Sequence, residues 1–288
     1  MLAWIFRRMT NISDNNPIWQ LEMRRDGKRI NRLRREAGTV ATAILTVAAI
    51  FIIGQVFLFQ QSFVFSIFAF TVGLPASAII MLGADLAYMT TTFGSFDAYR
   101  PYQDGELILI TSLTPQRLVE AKYHAALSRT WSAFLTEFTL RAIVSVPYTL
   151  LILLNLQAYA QFADLLLLLC LAGLIVAAYL SEPYFRAKTV VALGTALAAL
   201  HQGQSINVVF ALAVNLLMRG IQVGYLMLVI GGSNFLEAAI FENLTYTLKV
   251  IFQLLYYVTA AAGGLAVYIM LERAALRFAE NRVLRAEV

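Results

Sequence analysis

Cysteine, histidine and charge are all scarce in this chain. The single cysteine, Cys170, excludes an internal disulfide, and its place in a leucine run suggests a buried, inert thiol. Two histidines, His124 and His201, with that one cysteine make no metal-ligand cluster, so no metal is expected. Nor is there a GxxxxGK[ST] loop, an HExxH, a GxSxG or a CxxC, so neither a nucleotide site nor an enzyme's catalytic set is expected. Carboxylates are nearly missing from the apolar runs, which argues against a carrier coupled to protons or sodium.

What replaces charge is apolar surface. The 288 residues are 60% hydrophobic and 14% charged, with a mean hydropathy of +0.71. One soluble core of this length cannot hide so much, whereas a bilayer solvates it directly. A helix crossing the hydrocarbon needs about 20 mostly apolar residues. By that measure 39–59 and 63–84 form two spans joined by a short turn, with Pro75 tolerated inside the second. A third span falls within 131–157, a fourth at 164–180, a fifth at 206–230 and a sixth at 247–271. The expected fold is an all-α bundle of about six transmembrane helices.

The stretch 182–204 fits this scheme least well. Its apolar part, 189–200, is only 12 residues long and is flanked by Arg186, Lys188 and His201. Counting it as a span would put the two termini on opposite sides. Residues 1–38 hold nine Lys/Arg against four Asp/Glu, and 272–288 hold four Arg against three Glu. The connections 157–163 and 231–246 have no Lys or Arg. The positive-inside rule then places both ends in the cytoplasm of a plasma (inner) membrane and requires an even number of spans. The segment 182–204 therefore reads as a helix lying in, or dipping into, the inner leaflet. Three regions follow: a cytoplasmic N-terminus at 1–38, a membrane domain at 39–271 with one long polar loop at 85–129, and a cytoplasmic tail at 272–288.

Two other segments read as interfacial. Asn16–Pro17 is a cap-and-proline helix start, and the helix it opens, over 18–36, carries Arg24, Arg25, Lys28, Arg29, Arg32, Arg34 and Arg35. It either lies along the anionic inner leaflet or serves as a basic flank that sets topology, and the two are compatible. Anionic lipid, not nucleic acid, is its expected partner. The connection 231–246 is either a short surface helix or a re-entrant turn.

Few ionisable residues fall within spans. Asp85 and Asp164 read as boundary residues. Glu137 and Arg141 stand four apart with the acid first, the favourable order for a pair on one helix turn. Arg219, near the centre of the fifth span, should face the bundle interior, a partner subunit or a water-filled route, with pairing or snorkelling the plainer account. Gly220 and Gly224 follow it as a GxxxG, which permits close helix contact at a path or an interface.

The long polar loop carries the most specific pattern. Asp104–Gly105 makes a turn, 106–112 a short amphipathic run, and Thr114–Pro115 a cap-plus-proline start for a helix leading into the third span. In order, Asp104, Gly105, Glu106, Leu107, Leu109, Thr114, Pro115, Glu120 and Lys122 resemble the loop of type-2 ABC transporter permeases, and Asn16–Pro17 with its basic helix resembles the start of the same family. About a quarter of the chain carries the likeness. The segment 182–204 exceeds the family's minimal pattern, and no strongly charged run precedes Asp104.

The resemblance implies a coupling helix in the loop that docks on a separate ATPase subunit. It implies pairing with a second permease, identical or related, and export through the seam between them. ATP would be bound by the partner, leaving this chain without a cofactor. Asp104, Gly105, Glu106, Thr114, Pro115, Glu120 and Lys122 would carry the coupling, so that replacing Glu106 or Lys122 uncouples hydrolysis from transport and spares folding. Two other function classes are open to the sequence: a membrane scaffold or assembly factor that moves nothing and, disfavoured because no catalytic set converges, an intramembrane enzyme.

Overall fold

The computed structural model describes residues 81–93, 114–156, 162–200, 204–239 and 246–286, together with positions 39, 42, 46 and 79. The expected basic helix at 18–36, the first span, most of the second span and the Asp104–Gly105–Glu106 turn lie outside the described residues.

Every described element is helical. Helix α1 covers 81–90. It ends where three threonines compete for its last carbonyls. Thr90, Thr91 and Thr92 donate their hydroxyls to the carbonyls of Ala87, Tyr88 and Met89 at 3.1, 2.7 and 2.6 Å, which favours a turn over further helix. Helix α2 spans Pro115–Arg129 and starts as its sequence dictates: Thr114 is extended (φ −70°, ψ 143°), Pro115 occupies the first turn, and the Arg117 amide donates to the Thr114 hydroxyl. Thr130 alone separates it from α3, Trp131–Leu156. The rings of Trp131, Phe134 and Phe138 stack along the first turns of α3 with centroids 5.3 and 5.9 Å apart.

Helix α4 runs unbroken over Phe162–Ala198, 37 residues, with Pro183 inside it. The expected division between a fourth span and a separate interfacial segment from 182 is therefore corrected. Proline removes one helical amide, which here frees the carbonyl of Tyr179. The Arg141 guanidinium donates to that carbonyl at 3.0 Å, so the helix continues through the proline without an orphaned acceptor. One of the charges that suggested exposure points inward: Arg186 is fully buried. Helices α5, Gln204–Ala239, and α6, Tyr246–Ala286, likewise outrun the spans read from sequence. The connection expected from 231 is helical to 239, and the tail from 272 continues α6.

One contiguous core joins these elements at a single end of the bundle. It takes Tyr88 and Met89 from α1, much of α2, the start of α3, buried residues of α4 from Ala187 to Ala198 with Ala199 just beyond, Ala211 of α5, and Ala275, Ala279 and Val283 of α6. Small residues set its closeness. A Cβ on Gly194 would meet Thr92 Oγ1 at 2.6 Å and the Met89 backbone at 3.0 Å, so α4 touches the end of α1 directly. Helix α6 packs chiefly along α4, α2 lies against both, and α5 touches α4 and α6 sparingly.

Beyond that core, α5 and α6 present apolar side chains outward. Val209, Leu216, Leu217, Met227 and Leu228 on α5 and Leu255 and Met270 on α6 are all more than half exposed. Two segments, Ile206–Ala239 and Ile251–Val283, are long and apolar enough to cross a membrane. Cys170 is exposed as well, contrary to the buried thiol expected from its leucine-rich setting.

Candidate functional site

A cluster of six charged side chains lies where α1, α3, α4 and α5 meet. It contains three carboxylates, Asp85, Glu137 and Glu182, and three guanidinium groups, Arg141, Arg186 and Arg219. Helices α3 and α4 each contribute an acid followed four residues later by an arginine, so both members of each pair face the same way.

Arg186 is the hub. It bonds Asp85 and Glu137 through its two terminal nitrogens and Glu182 through Nε at 3.1 Å. Arg141 bridges Glu137 at 2.9 Å and Glu182 at 2.7 Å, and its guanidinium lies over the Tyr179 ring, 4.9 Å from the centroid. Arg219 reaches in from α5 to Asp85 and donates to Gln222 Oε1 at 2.6 Å. Two tyrosines close the edges: Tyr88 donates to Glu137 at 3.2 Å and Tyr268, from α6, to Glu182 at 2.6 Å. Gln222 donates to the Tyr268 hydroxyl.

Three positive and three negative charges compensate one another, most of them buried. Burial of a single ion is costly, and pairing repays that cost only with good geometry and satisfied lone pairs. Each carboxylate here is ion-paired with two of the three arginines. What the arrangement does chemically is hold four helices in one register. Among the described residues no group of three His, Cys, Asp or Glu side chains is arranged to hold a metal ion.

A second, smaller node binds α2 to the bundle. Glu272 of α6 accepts from the Tyr123 hydroxyl at 2.8 Å and pairs with Lys188 of α4 at 2.9 Å. Burial, and then the Glu272 charge, push the Tyr123 hydroxyl well above its ordinary range. His124 beside it, edge-on to the Tyr123 ring at 4.8 Å, is lowered to about 4 by burial, with Lys188 adding to the effect. This imidazole is neutral at pH 7.

The residues singled out from the sequence fall into three groups. Glu137, Arg141 and Arg219 meet in the charge cluster. Thr114 and Pro115 open α2, and Glu120 accepts from Gln116 at 3.2 Å near its outer end. Lys122 is only 4% exposed, so it faces the bundle and its replacement would disturb packing. Gly220 and Gly224 meet nothing within 4 Å of an added Cβ, so their contact face is open. Asp85, read as a boundary residue, is instead 1% exposed and central to the cluster. Glu182 and Arg186 were missed although their spacing repeats that of Glu137 and Arg141. No family model matches the chain, and no curated protein or solved structure matches it either.

Proposed function

We propose that the chain is a multi-pass membrane permease subunit of a type-2 ABC transporter, exporting its substrate with ATP hydrolysed by a separate subunit. One observation carries the reading. Helix α2 has an exposed first turn, with Thr114, Gln116 and Arg117 facing out, and a buried remainder joined to α4 and α6 through Tyr123, Lys188 and Glu272. A helix exposed at its first turn and fixed to the bundle beyond it can pass a push from a soluble motor into the membrane helices. Among its fixed partners, α4 also carries Glu182 and Arg186, the centre of the charge cluster.

The membrane setting is supported by α5 and α6, whose apolar faces are turned outward from the chain. Helix α4, at about 55 Å from a rise of about 1.5 Å per residue, exceeds the hydrocarbon thickness of about 30 Å. Its surplus would lie with α2 and the arginine-bearing end of α6 at the cytoplasmic surface. On this reading six spans, both termini inside and a basic N-terminal helix along the inner leaflet complete the subunit. A second permease copy, identical or related, would face it.

Reconstitution with a candidate ATP-binding subunit in proteoliposomes tests the proposal. Arg117→Glu, on the exposed turn, should abolish stimulation of ATP hydrolysis by this chain, with its unfolding midpoint measured alongside to separate coupling from folding. Normal stimulation by that variant would refute a coupling role for α2. The closed, neutral charge cluster also suits a second reading, a scaffold that moves no substrate; that reading predicts no nucleotide-dependent partner.

A further inference from the structure

Helix α6 changes character along one face. It carries no charged side chain from 250 to 271, a length of about 33 Å that is close to the hydrocarbon thickness of about 30 Å. At helical spacing Phe252, Leu255, Ala262, Ala266 and Met270 form one outward stripe, every one of them exposed. Arg273 and Arg277 continue the same stripe and are exposed too. The face therefore turns from apolar to basic in less than one helical turn, between Met270 and Arg273.

Beyond 271 the helix sorts its charges by side. Glu272 points inward, where Tyr123 and Lys188 hold it, and Ala275, Ala279 and Val283 seal that side against the core. Glu280 is half-buried. Arg273, Arg277 and Arg282 face out, and no carboxylate among the described residues pairs with any of them. Arg282 instead lies over the Phe278 ring, 5.3 Å from its centroid. By helical rise Arg273 and Arg277 stand about 3 and 9 Å past residue 271, and Arg282 about 17 Å past it. Side chains on a helix lean toward its N-terminus, which for this stretch is the direction of the bilayer. The first two guanidinium groups therefore reach back to the headgroup layer, and the third lies too far out.

We propose that Arg273 and Arg277 form a binding surface for the phosphate of an anionic phospholipid, which fixes the height of α6 in the membrane. Two planar guanidinium groups one turn apart suit a phosphate, to which each can donate in pairs. The inference rests on the membrane setting of α6 given above and needs neither an ATPase nor transport.

Lipid-borne quenching of a site-specific fluorophore tests it, with the full chain in a Cys170→Ser background reconstituted into phosphatidylcholine vesicles. A bimane is placed on Ala274→Cys, an exposed position beside both arginines, or on Leu255→Cys in the apolar stripe. The quencher is a small fraction of phosphatidylglycerol or phosphatidylcholine, each carrying a nitroxide at the same acyl carbon near the headgroup. At position 274 phosphatidylglycerol should quench about five times as strongly as phosphatidylcholine at low salt. Arg273→Gln with Arg277→Gln should bring that ratio close to one, and Arg282→Gln should leave most of it. Equal quenching by the two lipids in the parent chain, or a ratio indifferent to the double exchange, would overturn the proposal. Quenching at 255 with none at 274 would also overturn it, and would leave the basic face to an acidic protein. No quenching at 255 would remove the membrane setting itself.

Discussion

The end of the bundle built from α2, the start of α3 and the last turns of α4 differs in kind from the hairpin of α5 and the first part of α6. The first region buries charge and pairs it; the second turns apolar side chains outward and keeps its polar contacts on a narrow inner stripe. In the first, every helix depends on its neighbours for charge compensation. In the second, α5 shares a narrow seam with the others: Arg219 pairs with Asp85, and Ala211 and Val214 pack against the common core. The two regions therefore differ in how much buried charge each helix contributes to its contacts.

The sharpest way to break this contrast is at the hub. Arg186→Met removes the shared partner of Asp85, Glu137 and Glu182, and breaking a buried pair costs about 3–5 kcal/mol. Thermal unfolding in detergent should show most of the stability lost, whereas Arg219→Gln should cost far less. Equal losses from the two variants would erase the distinction between the regions.

A second test probes packing in the rigid end. Gly194→Ala places a methyl against the Met89 backbone at 3.0 Å, and overpacking of this kind costs about 1–3 kcal/mol. The same exchange at Gly224, inside α5 and with open space around it, should instead stabilise by about 0.5–1 kcal/mol. Unfolding midpoints of the two variants check the pair directly.

The node at α2 gives a pH dependence. The folded state holds the His124 imidazole at about 4, below its ordinary value of 6.5. A depressed value means that the unfolded chain takes up the proton first. Its contribution is therefore complete above about 6.5 and is lost as pH falls toward 4. Stability measured from pH 7 to pH 4.5 should drop, and His124→Gln should flatten that limb. An unchanged slope would mean that His124 is open to water in the folded protein.

The smallest effect expected is at the hydroxyl of Tyr123. Tyr123→Phe removes one donor to Glu272 while Lys188 remains at 2.9 Å, a loss of about 1 kcal/mol. If α2 transmits force through this node, the stimulation of a partner ATPase should fall more than stability does. A parallel fall in both would reduce the node to a structural brace.

Much of this was legible in the chain, and the remainder failed for identifiable reasons. The apolar runs at 206–230 and 247–271 mark helices because their surface has no other solvent, and Thr114–Pro115 marks a helix start through local chemistry alone. Glu137 with Arg141 was legible because both partners lie on one turn. Asp85 was not, because its partners are 101 and 134 residues away in sequence and nothing local distinguishes a boundary carboxylate from a buried one. Arg186 and Lys188 made 182–204 look like a surface segment, since counting charges presumes that charges face water. The repeat of the acid-to-arginine spacing at Glu182 and Arg186 was the available clue. Pro183 does not end the helix, because Arg141 takes up the carbonyl it frees.

The measurement that bears most directly on the proposed function is co-purification in detergent with candidate ATP-binding subunits from the same genome, repeated with the sequence from 106 to 117 scrambled. A stable complex that is lost on scrambling is the result expected of a permease coupled through the exposed start of α2. No complex with any ATP-binding subunit, or one indifferent to scrambling, would contradict that account.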